Sequence, residues 1–208
     1  MIRNLTFKAV CLAICLFVVV RGQAQGVTGV KFQMRFDTTT CLFDCYIVIT
    51  EGSATTGPQR AQFNAQYSIV VPAGSMIEVD TSYMPLVANQ TYTGTIPMTW
   101  ALTNHVYAPC DQPQNDFHSI IPVLSPASFY NNLATGDTVK LFSLKVSPIP
   151  ECASDIRIFK NGIDPSSSAI CFGGADFSCG FTIGGPSQDY TGNLPQIYPP
   201  KPSATVEV

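Results

Sequence analysis

The sequence predicts an all-β protein, an antiparallel β-sandwich or jelly roll stapled by disulfides. Three observations lead there. Apolar and polar residues alternate with period two along most of the chain, turn-forming residues separate the alternating runs, and no segment carries a sustained 3.6-residue apolar period. The turn formers include 15 Gly and 16 Pro. Charged residues are only 12% of the chain, about half the share usual in soluble domains. Thr, Ser, Asn and Gln supply the surface polarity instead.

Taken in order, residues 1–24 read as a secretory signal peptide. Arg3 and Lys8 precede the apolar run Ala9–Val20, which is too short to span a bilayer, and the small residues Gly22 and Ala24 follow it. The mature chain is expected to start at Gln25, carrying Cys11 and Cys15 away with the leader and leaving no membrane insertion. It keeps eight basic against fourteen acidic residues. That excess of negative charge disfavours nucleic acid and anionic membranes as partners.

The first strand is VKFQMRF, with Val30, Phe32, Met34 and Phe36 on one face and Lys31, Gln33 and Arg35 on the other. CYIVIT follows, alternating Cys45, Ile47 and Ile49 with Tyr46, Val48 and Thr50. AQFNAQYSIVV sets Phe63, Ala65, Tyr67, Ile69 and Val71 against polar neighbours, and PAGS turns the chain into MIEV. Further strands are expected in QTYTGTI, MTWAL, SIIPVL, VKLFSLKVS, DIRIFKN and FSCGFTIG. Only Ser125–Ala134 suits a helical turn, with Ser125 as cap and Pro126 in the first position. The domain is expected to cover residues 25–191, followed by a proline-rich tail over 192–208 that serves as a tether, a pairing segment or a disordered end.

Six cysteines remain after the leader: Cys41, Cys45, Cys110, Cys152, Cys171 and Cys179. An even number in an exported chain points to disulfides, whereas zinc would need tetrahedral Cys/His sets and a redox centre a C-x-x-C motif. Six cysteines allow about 15 pairings. Those expected are Cys41 with Cys45 across a tight loop, Cys171 with Cys179, and by elimination Cys110 with Cys152.

The segments Gly136–Ala169 and Ala65–Met84 resemble the later and earlier strands of cohesin-like modules, a Gly-Asp turn leading into a long alternating strand and then an Ile-rich one. The resemblance implies a β-sandwich shared with carbohydrate-binding modules and found in secreted and surface proteins of bacteria. Unlike scaffold cohesins, the chain has six cysteines and no second copy.

Motifs for catalysis are absent: there is no G-x-S-x-G elbow, H-E-x-x-H pair, P-loop or dinucleotide fingerprint. His105 and His118, the only histidines, each stand without a recognisable nucleophile or partner, so no catalytic residue is expected. Asn161, Asp164, Ser166 and Asp176 lie on Gly-rich loops, where they either supply oxygen ligands to calcium or simply form turns; no other cofactor is implied. Tyr83, Tyr92, Tyr107, Phe129 and Tyr130, near Asn89, Asn104, Asn131 and Asn132, suit stacking on sugars or core packing, and Trp100 suits the core. Ligand contact is expected of Tyr83, Tyr107 and Tyr130. Asp37-Thr-Thr and Asp137-Thr-Val are similar to short O-glycan acceptor sites of exported bacterial proteins.

The expected function is that of a secreted or cell-surface recognition module, non-catalytic, with polysaccharide or a surface protein as partner. A self-associating subunit of an extracellular filament or surface layer and a glycan-active enzyme are the alternatives.

Overall fold

The structure, a computed structural model, describes residues 26–83, 85–86, 98–123, 130–149 and 155–198. Among them the protein is all-β, and the only helical element is a 3-10 turn at Pro58–Arg60. Twelve strands form: β1 (Gly29–Asp37), β2 (Leu42–Glu51), β3 (Ser53–Ala54), β4 (Gln62–Pro72), β5 (Met76–Ser82), β6 (Thr99–Tyr107), β7 (Asn115–Val123), β8 (Leu133–Ala134), β9 (Thr138–Ser147), β10 (Arg157–Ile158), β11 (Gly180–Ile183) and β12 (Tyr190–Asn193). One sheet has the order β12-β1-β2-β9-β5, a second has β10-β4-β7-β6 with β11 also on β4, and β3 pairs β8.

The period-two pattern orients these strands. Val30, Phe32 and Met34 of β1 are buried, as are Cys45, Ile47 and Ile49 of β2. On β9, Val139, Leu141, Phe142, Leu144 and Val146 are all buried. Two neighbours, Leu141 and Phe142, are both inside because the pairing with β2 skips Leu141, setting Lys140 opposite Tyr46 and Phe142 opposite Cys45. Rings from both large sheets meet: Phe32 stacks on Tyr67 at 4.4 Å, and Phe142 lies 5.3 Å from Tyr67 and 4.9 Å from Trp100. Each such side chain contributes about 1.5–3 kcal/mol by leaving water.

β4 departs from simple alternation. Ala65, Tyr67, Ile69 and Val71 are buried as the pattern requires, yet Ser68 and Val70 on the other face are buried too, and Phe63 is exposed. A second aromatic cluster lies on the face of β7 that carries Phe117: Phe172 is 5.0 Å, Phe177 6.0 Å and Phe159 6.2 Å from it. The segment after β10 supplies these rings, and Cys179 Sγ reaches the Ser68 carbonyl at 3.8 Å. A strand covered on both faces loses its polar side.

The cysteine expectations are corrected. The disulfide present joins Cys110 to Cys171, with Cα atoms 5.8 Å apart. Cys41 and Cys45 are both free: four residues of nearly extended chain separate Cα atoms by about 13 Å, beyond the ~7 Å a disulfide tolerates. Cys45 points into the core, while Cys41 sits in the turn at φ 58°. Cys179 is free and buried, and Cys152 lies outside the described residues. The tail boundary also moves. Strand β12 runs through the expected division at residue 191 and pairs in parallel with β1; farther along, Ile197 N donates to the Met34 carbonyl at 3.0 Å. Residues 192–198 therefore belong to the folded body. The expected leader, the strand QTYTGTI and half of the expected helical turn, residues 125–129, lie outside the described residues; of the other half, Leu133 and Ala134 form β8.

Candidate functional site

The two large sheets each end in a strand with one neighbour among the described residues, β5 in one and β6 in the other. Between them, toward the end that holds the β4–β5 turn, is an open groove of about 780 Å³. Met76 and Ile77 form one wall, and Leu102, Asn104, His105 and Tyr107 the other.

The β6–β7 hairpin builds the second wall. Its register sets Tyr107 opposite Asp116 and His105 opposite His118, and shifts between Leu102 and Asn104. The shift leaves Thr103 as an extra residue, so side chains before and after it change parity. Trp100, at an even position, packs in the core, and odd-numbered His105 and Tyr107 line the groove. The buried Asp116 carboxylate anchors the floor, with Oδ2 accepting from Gly74 N at 2.7 Å and Oδ1 from Ala108 N at 2.8 Å. One side chain thereby ties the β4–β5 turn to the end of β6. Above it His118 is 4% exposed. Burial lowers its pKa to about 4, against an opposing effect from Asp116, and nearby His105 lowers it further. The ring is neutral near pH 7, and its buried Nε2 has no hydrogen-bond partner among the described residues. Tyr107, 60% exposed, has its ring 4.5 Å from His105 and 5.7 Å from His118.

The three expected ligand tyrosines do not converge. Tyr107 is in the groove. Tyr130 is fully buried, its ring 6.0 Å from Phe181 and its hydroxyl donating to Gln62 Oε1; it is a core residue. Tyr83 lies with Lys140 Nζ 4.2 Å over its ring and its hydroxyl 3.1 Å from Ser143 Oγ. That serine donates to Asp44 Oδ1 at 2.6 Å, and Asp44 Oδ2 pairs with Lys140 Nζ at 2.8 Å. These polar groups satisfy one another on the first sheet. Trp100 is buried against Phe142, as expected of a core residue. Tyr92, Phe129 and Asn89 lie outside the described residues.

Of the two alternatives for these loops, calcium ligands or turn formers, the contacts present are those of turns. Asn161 grips Cys179, accepting from its N–H and donating to its carbonyl, both at 2.8 Å. Asp164 takes a two-pronged contact from Arg157, 2.6 Å on each oxygen, and accepts from Lys160 N at 2.7 Å. Asp176 Oδ1 accepts from Ser178 N at 2.8 Å, and Ser166 bonds to Ser168. Among the described residues no group of three or more His, Cys, Asp or Glu is arranged to hold a metal. Asp37 and Asp137 likewise close turns, accepting from Thr39 N and Ala134 N. The buried Cys45 and Cys179 thiols are pushed up by desolvation, Cys179 to about 12, and so stay protonated and unreactive.

Reading the histidines one at a time missed their meeting. The signal was the turn-rich stretch Ala108–Gln114: a hairpin folded there brings 105 opposite 118. No family model, curated protein or solved structure matches the chain. No helix among the described residues is long and apolar enough to cross a membrane.

Proposed function

We propose that the chain is a secreted, non-catalytic recognition module whose two large sheets pack face to face as a β-sandwich, of the type its cohesin-like wording resembles, and that the β5–β6 groove binds a polysaccharide. The observation that carries this reading is Tyr107, a large ring exposed at the rim of an open groove beside Asn104, Thr103 and two imidazoles. A planar ring offers its face to the C–H side of a sugar, and neighbouring amide, hydroxyl and imidazole groups exchange hydrogen bonds with its hydroxyls. An open cleft admits the middle of a chain, so the ligand needs no free end. Export is supported by the N-terminal pattern together with the Cys110–Cys171 disulfide, a bond that persists in oxidising compartments.

The test is a glycan array probed with the mature protein and with Tyr107→Ala. Wild type is expected to retain a polysaccharide class that the variant binds at least tenfold more weakly, at unchanged thermal stability. Equal retention by both proteins, or none by either, sinks the reading.

A further inference from the structure

The groove contains both histidines of the chain, and antiparallel pairing sets them directly across from each other. Their ring centres are 6.5 Å apart. His118 is almost fully enclosed, yet its Nε2 meets no donor or acceptor among the described residues. An orphaned buried nitrogen is uncommon because it forfeits its bonds to water without replacing them. It points to a missing partner.

We infer that His105 and His118 together bind a divalent transition metal of the Cu²⁺, Ni²⁺ or Zn²⁺ class, through one nitrogen of each ring. Imidazole is the donor these ions favour, whereas calcium and magnesium require oxygen. With metal–nitrogen bonds of about 2.0–2.1 Å, two rings on one ion have centres roughly 4.5 Å apart when adjacent and about 6.4 Å when opposite, so the observed 6.5 Å requires the rings to close on the ion. The exposed His105 can rotate, while His118 is fixed by its surroundings. Only one ligand need move. Asp116 has both oxygens engaged by the N–H groups of Gly74 and Ala108, so it does not coordinate. Water or a groove-bound ligand fills the remaining positions. The ion would occupy the same groove as the proposed glycan, but its binding does not rest on that reading.

The test uses untagged mature protein with Cys41→Ser, which removes the thiol exposed among the described residues, and Cys152→Ser, titrated with Cu²⁺ alone at neutral pH by calorimetry and electron paramagnetic resonance. One ion per chain is expected, with hyperfine structure from two imidazole nitrogens. Because His105 is exposed, His105→Ala should fold normally and bind at least tenfold more weakly; His118→Asn should do the same. Failure to bind at micromolar copper, a spectrum without imidazole nitrogen, or unchanged affinity in His105→Ala overturns the proposal. If His118→Asn does not fold, the His105 variant and the spectrum still decide the matter. Running the glycan array in chelator keeps the two readings separable.

Discussion

Tyr107 and Tyr130 share a side chain and nothing else. Replacing the buried Tyr130 by Ala removes its packing against Phe181 and leaves Gln62 Oε1 without its donor, so a loss of about 3–5 kcal/mol is expected in urea unfolding, as for other large aromatic truncations. Tyr107→Ala should fall within about 0.5 kcal/mol of wild type, as surface changes usually do. The acid Asp189 offers a different handle. It is buried with Oδ2 accepting from Ile183 N at 2.8 Å, and desolvation raises its pKa in spite of that bond. A raised folded-state value means that the native protein holds the proton more tightly than the unfolded chain does. Its contribution is therefore fully present below the ordinary carboxylate range, near 3.9, and is lost as pH rises through the raised value. Asp189→Asn keeps an acceptor for Ile183 N without the charge. Relative to wild type, the variant's unfolding free energy should rise as pH goes from 3 to 6, and a difference that stays flat or falls would contradict the assignment.

At the scale of elements, the Cys110–Cys171 bond joins the turn of the β6–β7 hairpin to the segment bearing Phe159, Phe172 and Phe177. It closes a sequence separation of 61 residues, for which the chain-entropy model gives about 4 kcal/mol. Cys110→Ser with Cys171→Ser should lower stability by an amount of that order, and a non-reducing peptide map should recover the two cysteines linked. Cys45 and Cys179 should alkylate only after unfolding; labelling in the native state would contradict their burial. The strands themselves were legible from sequence, since Val30, Phe32 and Met34, or Cys45, Ile47 and Ile49, need only a local period of two. The cysteine partners were not. Cys171 follows Cys110 by 61 residues, and only the packing of the Phe117 cluster brings them together. The faces of β4 were half legible for the same reason: alternation reports what one strand offers, and Ser68 and Val70 were buried by a segment about 90–110 residues later in the chain.

For the whole molecule, the candidate site follows from where the sheets end. No single stretch of sequence contains it, because Met76 and Ile77 come from the edge of one sheet and His105 and Tyr107 from the edge of the other. Composition picked out Tyr107 and Tyr130 by one criterion, a ring near amides, and only burial separates them. The Asn161, Asp164 and Asp176 set had the composition of a cation site and the geometry of three turns. Neighbourhood in sequence was a poor guide there because Gly-rich loops use the same residues for both purposes.

The parallel pairing of β1 with β12 has a mechanical consequence. The chain enters β1 at one end of this ladder and leaves β12 at the other. Val30 N bonds to the Asp189 carbonyl at one end, Leu194 N to the Phe32 carbonyl midway, and Phe36 N to the Ile197 carbonyl at the far end, at 2.8, 2.8 and 3.0 Å. Tension applied through whatever flanks these two strands runs along their axes and loads the rungs simultaneously in shear, whereas strands pulled from the same end would unzip one rung at a time. Rupture then requires several hydrogen bonds to fail together, with Phe32 and Tyr190, 4.8 Å apart, sliding past each other as they do. The first and last described strands are thus arranged so that their separation along the strand axis is resisted in shear.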